Sequence, residues 1–567
     1  MLWWLRAPGV FTIDEPNHIA QVVALQHGQW TLPGLDVLPA SKELAFYEPN
    51  FQAAAQAPPR NDVPPLYGLI ALPFSHLGFD ALFYLNGAAF LIACALVFLF
   101  TRKLSEGRLA PWLALFAFAL GGSTFEYALG LWPHMLSIAL CTGCFVAAHH
   151  GRERDRLWAI AAAGMLGGIA IGVRYPNVVY AGSVGLAIVL WARRRTEATL
   201  TYALAAGAPV TLIAVLNDVR SGAANPISKG GGYLNPSRAE SGGIDIADIL
   251  GTFWFRVVDF ASRPSGDFVG YSLDPDPETG AFLWFDVVKK SWLQSSPWVA
   301  MVLLAVTAAW LLRGQAEQPA RRTLQGLGLT IWGVVAAFSV AGSGRPDGTC
   351  FNQRYLLDVM PLAAIALGLV VDRASLRGRW LALGGAVGGG LVYVTLVSLE
   401  REHQHRAILY LPLALAAALA LTYMLRRWQG RLQSAIAVLL GASLAWGAGI
   451  HLGTDLQASR NRRLQVVELQ AHLVGKLPPH SAVLLWGQYR SLAVPLLFEQ
   501  DLIIVDVARD QGRDAANVTR ALQVRGRRVY LLLLGLPPTL RVHLANTFGV
   551  AGMIRGGAPL LELANKR

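Results

Sequence analysis

The sequence predicts a polytopic α-helical membrane protein that ends in a small extracytoplasmic α/β domain, and three observations predict it. Of its 567 residues, 54% are hydrophobic and only 15% charged, with a mean hydropathy of +0.42. That is too apolar for a soluble globular chain of this length. Runs long enough to cross a hydrocarbon core of about 30 Å recur between Ala81 and Ile450. Hydropathy gives about twelve, centred near residues 91, 116, 140, 165, 184, 208, 304, 333, 364, 389, 416 and 442. Beyond them the composition changes to short branched runs separated by Gly, Pro and charged stretches.

A net charge of +12 would point to nucleic acid in a soluble chain, but here topology accounts for it. Arg102, Lys103 and Arg108 fall in one connection, Arg152, Arg154 and Arg156 in another, and Arg193, Arg194 and Arg195 in a third. Arg313, Arg321 and Arg322, then Arg373, Arg377 and Arg379, then Arg426, Arg427 and Arg431 continue the series. These are every second connection, as the positive-inside rule expects of cytoplasmic loops. The alternate connections and both chain ends are then expected on the outer face of a plasma (inner) membrane, and no nucleic-acid partner is expected. The four cysteines outline no disulfide framework: Cys94, Cys141 and Cys144 lie in apolar runs and Cys350 in an outer loop. Small residues are common where membrane helices pack, which accounts for the Cys141–Cys144 spacing without a metal or redox pair.

Taken in order, residues 1–65 form a first outer loop. Met1 to Leu5 reads as the stump of a helix, so one more transmembrane helix is expected upstream. Asn17 to His27 suits an amphipathic helix lying at the interface. The prolines at 58, 59, 64 and 65 then exclude a continuous helix. Residues 66–451 form the transmembrane region, with a long outer loop at 218–296. That loop opens on Lys229-Gly230-Gly231-Gly232-Tyr233, includes a helix-like segment from Asp245 to Phe260, and carries Trp254, Tyr271 and Trp284. Loops of this length are usually functional or disordered, and the aromatics favour function. In residues 452–567, Ser481–Trp486, Leu502–Asp506 and Arg528–Leu533 read as strands of a mainly parallel sheet, with a helical stretch from Ala515 to Gly526. No G-x-G-x-x-G follows a strand, so no dinucleotide site is expected.

Asp14 and Glu15 are the leading chemical pair. A carboxylate near a membrane surface can accept a proton from an attacking hydroxyl. Asp14 is also a good helix cap ahead of Glu15-Pro16, and the two roles are compatible. The pair is able to ligate Mg²⁺ or Mn²⁺, but no second acidic cluster is evident, so metal dependence stays open. Trp132-Pro133-His134 puts a histidine at the outer end of a run, beside Glu126 and Tyr127. An ionisable group at that depth suggests function, with a wetted interfacial position as the alternative. Arg174-Tyr175-Pro176 and Arg354-Tyr355 lie at outer turns. The planar fork of arginine suits a lipid-linked phosphate, and snorkelling to headgroups is the alternative. Lys229 beside three glycines resembles a phosphate-cradling nest without the spacing of a P-loop; a surface turn is the simpler account.

These pieces together resemble a polytopic glycosyltransferase of the GT-C superfamily, in the branch of the protein O-mannosyltransferases and the lipid A aminoarabinose transferases. The likeness begins at Asp14-Glu15, runs through Ala20 and Ala24, and reaches a Leu-x-x-Gly-x-Trp-x-x-Pro run at Leu25, Gly28, Trp30 and Pro33. Pro64-Pro65-Leu66-Tyr67, Trp132-Pro133-His134, Arg174-Tyr175-Pro176 and Arg354-Tyr355 follow in the same order. The likeness spans about residues 10 to 372. It departs from the family's pattern in the absent first helix and in Lys229 followed by three glycines.

The resemblance implies transfer of a sugar from a polyprenyl-phosphate carrier to a glycan, lipid or protein acceptor on the extracytoplasmic face, with inversion. Asp14 would be the base and Glu15 its neighbour in the motif. His134, Arg174, Tyr175, Lys229, Tyr233, Arg354 and Tyr355 would serve the carrier. Two other classes fit part of the pattern. A transporter or lipid flippase fits the membrane runs, although no repeat relates the two halves. A ligase or polymerase of lipid-linked glycans would share the carrier site.

Overall fold

The computed structural model describes residues 15–30, 63–221, 290–311, 318–340, 354–426, 432–471, 473, 476–486, 502–507, 515–555 and 559–564, and the two-residue strands at 51–52, 60–61, 271–272 and 284–285. Helix α1 (Glu15–Gln26) precedes the paired strands β1 (Phe51–Gln52) and β2 (Arg60–Asn61). Helices α2 (Pro65–Ser75), α3 (Ala81–Leu104), α4 (Leu109–Ala119), α5 (Thr124–Ala128), α6 (His134–Arg154), α7 (Leu157–Val173), α8 (Asn177–Trp191) and α9 (Arg195–Ser221) follow. After the pair β3 (Tyr271–Ser272) and β4 (Trp284–Phe285) come α10 (Trp292–Ser295), α11 (Val299–Leu311) and α12 (Gln318–Val340). A 3₁₀ turn (Arg354–Val359) leads into α13 (Met360–Arg373), then α14 (Gly378–Tyr393), α15 (Arg401–Leu425) and α16 (Gln433–Ile450). A π-helical turn (His451–Asp455) joins α16 to α17 (Leu456–Ala471).

Local chemistry sets many of these boundaries. Proline starts α2, where its missing N–H would have no helical partner, and proline immediately precedes α6 and α8. Each expected run centre falls inside a helix, from residue 91 in α3 to residue 442 in α16. Five stretches among the described residues are long and apolar enough to cross a membrane: Ala81–Leu104, Arg195–Val219, Gly378–Ser398, Glu402–Leu425 and Gln433–Glu468. Shorter apolar helices, α2, α4, α7, α8 and α11, stand beside them. Glycines set the closest approaches. A Cβ at Gly384 or Gly388 of α14 would run into the backbone at Val438 or Ala442 of α16.

The basic loops gather at one end of the helices. Lys103 lies 3.3 Å from His150, Arg194 pairs with Asp155 at 3.2 Å, and the Arg152 guanidinium sits over the Trp191 ring at 6.0 Å. Asp372 at the foot of α13 accepts the N–H groups of Glu106 and Gly107 at 3.0 and 2.7 Å.

The remaining elements are β5 (Ser481–Leu485), β6 (Leu502–Asp506), α18 (Ala515–Val524), β7 (Arg528–Leu532), α19 (Pro538–Phe548), β8 (Val550–Ile554) and β9 (Leu560–Leu563). They form a sheet of order β6-β5-β7-β9-β8. The first three strands, those legible in the sequence, pair in parallel. The antiparallel edge of β9 and β8 was not expected, because Val550–Ile554 is half exposed and lacks a clean alternation.

One apolar cluster holds the transmembrane helices, and a second joins the sheet to Ile19, Val22 and Val23 of α1, Leu66 of α2, and Leu131. Here the structure corrects the expectation of an interfacial helix. From His18 to Ala24 every side chain of α1 is buried, Gln21 included, so no face is left for water. The Gln21 amide donates to the Pro64 carbonyl at 3.3 Å, and Gln26 to the Ser75 hydroxyl at 3.0 Å.

Candidate functional site

The segment from Gly121 to His134, opposite the basic loops, is pinned from several sides. The Gly121 carbonyl accepts the Trp298 indole N–H at 2.8 Å and the Ser296 hydroxyl at 3.1 Å. Asn86 of α3 donates to the Gly130 carbonyl at 2.6 Å. Glu15, the first residue of α1, accepts the Leu131 N–H at 2.7 Å and Nη2 of Arg463, on α17, at 2.9 Å. The Glu15 side chain is fully buried and that of Arg463 is 4% exposed. Gly130 leaves room for the pair: a Cβ there would lie 2.9 Å from the Arg463 Nη2 and 3.2 Å from the Glu15 Oε1.

A second buried ionic group lies nearby. Lys290 Nζ meets Asp455 Oδ1 at 2.8 Å, with both side chains at most 1% exposed. Asp455 Oδ2 lies 2.8 Å from His451 Nδ1, and the Thr454 hydroxyl donates to Asp455 Oδ1 at 2.9 Å. His451 Nε2 faces the Ser295 carbonyl at 3.2 Å. The π-helical turn carries His451 and Asp455 together. Glu126, buried in α5, feels both groups. Burial and then the Asp455 carboxylate push its carboxyl well above the usual carboxylate range, against the pull of Lys290 and Arg463.

His134 opens α6 within a ring cluster: Tyr127 lies 4.4 Å from Trp132 and 5.0 Å from His134 between centroids. One turn on, the Ser137 hydroxyl donates to Asp358 Oδ1 at 2.8 Å. The other Asp358 oxygen pairs with Arg174 Nη1 at 2.5 Å, and both side chains are buried. Asn177 donates to the Ser137 hydroxyl at 2.8 Å, and Asn217 donates to the Tyr175 hydroxyl at 3.4 Å. Asp358 stands in the 3₁₀ turn that begins at Arg354. The pair therefore ties the Arg174 turn to the backbone that carries Arg354.

The structure thus brings together Glu15, Glu126, His134, Arg174, Tyr175 and the Arg354 turn. Asp14, Lys229, Tyr233, the loop segment Asp245–Phe260 and the side chains of Arg354 and Tyr355 lie outside the described residues. The sequence reading missed Lys290, Asp358, His451, Asp455 and Arg463. A signal existed for three of them: Lys290 is a lysine on the less basic side, and His451 and Asp455 sit one turn apart just past the last apolar run. Among the described residues no group of three or more His, Cys, Asp or Glu side chains could hold a metal ion. Oε1 of Glu15 accepts from two donors, the Leu131 N–H and the Arg463 guanidinium.

No family model matches the chain, and no curated protein sequence matches it significantly. Two crystal structures of ArnT from Cupriavidus metallidurans do match in fold. The one bound to undecaprenyl phosphate gives a TM-score of 0.54 at 15% sequence identity, and the one in the apo state gives 0.55 at 14%. Each covers 100% of this chain and 97% of its own. The chain shares its overall fold with ArnT.

Proposed function

We propose that this chain is a membrane glycosyltransferase that moves a sugar from a polyprenyl-phosphate carrier to an acceptor on the outer face of the membrane, with inversion at the anomeric carbon. The observation that carries this reading is the buried carboxylate of Glu15, locked to Leu131 and Arg463 at the end of the helices opposite the basic loops. A fold shared with ArnT, seen with undecaprenyl phosphate, supports it. About twelve helices would cross an inner membrane, with residues 1–65, the loop 218–296 and residues 452–567 outside.

In this mechanism Asp14 takes the proton of the acceptor hydroxyl while that oxygen bonds to the anomeric carbon. The carbon–oxygen bond to the carrier breaks on the opposite face, and its electron pair leaves with the phosphate, which needs no proton. One base therefore suffices. Arg354, Tyr355, Lys229 and Tyr233 would receive the carrier phosphate. The buried Arg174–Asp358 pair would hold the Arg354 turn in place, and His134 and Tyr175 would serve the carrier.

The test is transfer of labelled sugar from a polyprenyl-phosphate donor by the purified protein in nanodiscs. Asn caps a helix about as well as Asp, so Asp14→Asn should keep the fold and lose about 10²- to 10⁴-fold in turnover. Glu15→Gln should lose less. Near-normal turnover in Asp14→Asn would remove the base. No transfer by the parent with any such donor would favour the transporter.

A further inference from the structure

We infer that Arg463 is a positioning residue for the acidic motif, although it stands on the last long helix rather than in any loop of the membrane region. The inference rests on the glycosyltransferase reading for its effect on rate, and on geometry for its cause. The Glu15 carboxylate has no exposed surface, and the guanidinium that meets it at 2.9 Å is itself buried. An arginine so enclosed is poorly placed to meet a carrier arriving from the bilayer. It can, however, fix a carboxylate. The same Glu15 oxygen also takes the Leu131 N–H, so one atom fastens three separate segments: the acidic motif, the 121–134 segment and α17.

Asp14 is bonded to Glu15 through one peptide, so whatever fixes Glu15 also limits where Asp14 can stand. The surrounding charges suit this role. Lys290 is held by Asp455, and Glu126 sits where both cations act on it. Losing Arg463 would leave Glu15 facing Glu126 without that cation, and the motif would shift. A small misplacement of a catalytic group costs up to about 10²-fold in rate.

The experiment compares Arg463→Gln, Arg463→Lys, Glu15→Gln and the double Glu15→Gln/Arg463→Gln variant in the full chain in nanodiscs. Expected is a fall in kcat of Arg463→Gln of roughly 10- to 100-fold with the donor KM unchanged, and partial recovery in Arg463→Lys. The double variant, which removes both charges of the pair, should be no slower than the worse single one. A raised donor KM at normal kcat would make Arg463 a carrier ligand instead, and multiplicative losses in the double variant would break the link through Glu15. Either result overturns the inference.

A second measurement needs no activity. Amide exchange of the peptide containing Leu131, and of α1, should quicken in Arg463→Gln. Unchanged exchange overturns the inference even if the parent proves inactive. A parent without transfer but with quickened exchange would instead defeat only the glycosyltransferase reading.

Discussion

Glu126 is buried among charges of both signs, and burial outweighs the two cations, Lys290 and Arg463, that favour its ionised form. Its folded-state proton affinity is therefore raised. Between the usual carboxylate value and the raised one, the native protein holds a proton that the unfolded chain has lost, so stability falls as pH rises through that window. Glu126→Gln mimics the protonated form, and thermal unfolding across pH should show a flatter curve for it than for the parent. Parallel curves would assign the titration to another group. Arg174 asks for a different test. From the sequence its planar fork suited a lipid-linked phosphate; in the structure it is paired inside the protein with Asp358. Removing one partner of a buried pair costs about 3–5 kcal/mol. Arg174→Ala should therefore lower the unfolding temperature sharply, and the double Arg174→Gln/Asp358→Asn variant should recover much of it. A double variant with normal donor KM would identify Arg174 as support for the Arg354 turn.

At the level of elements, α14 and α16 show how little space the helices leave between them. A side chain at Gly384 would meet the Val438 backbone, which cannot rotate away, whereas Gly385, one residue on, has nothing near the position of its Cβ. Gly384→Ala should thus cost about 1–3 kcal/mol through overpacking, and Gly385→Ala should be neutral or gain up to about 1 kcal/mol of helix propensity. Unfolding of both in detergent decides it; equal effects would mean that the close contact is not what holds the pair. The same elements show what a sequence reveals. Hydropathy and proline located the helices, because those signals act within one turn. The burial of α1 was hidden, since its Gln and His residues resemble a wetted face until the sheet and α2 are placed around them. The ion pairs were hidden for the same reason: Lys290 with Asp455, and Glu15 with Arg463, are separated by 165 and 448 positions.

For the molecule as a whole, the alternation of basic loops read from the sequence becomes a spatial fact, with Lys103, Arg152, Arg194 and the Asp372 turn at one end and the Glu15 site at the other. Orientation in the membrane follows if the basic end is cytoplasmic. In a background without native cysteines, Leu77→Cys, at a residue 80% exposed on the turn between α2 and α3, should react with an impermeant maleimide added outside intact cells. Arg154→Cys, exposed at the foot of α6, should react only after the membrane is opened. The reverse pattern would place the site inside and remove an outer-face acceptor. The acidic motif was legible as a pair of carboxylates; that its anchor comes from the far end of the chain was not, because no local pattern records a contact of that length.

That length also sets a schedule. Glu15 and Arg463 are made 448 residues apart, and at about 5–20 residues per second a ribosome needs roughly 20 to 90 s to pass from one to the other. Throughout that interval helices are already entering the bilayer, while the opening carboxylate waits for a cation that has not been translated. The pair can close only after the last apolar run, which ends near Ile450, has been made. A chain released before Arg463 would carry its basic loops and most of its membrane helices and still lack the fastening of its acidic motif.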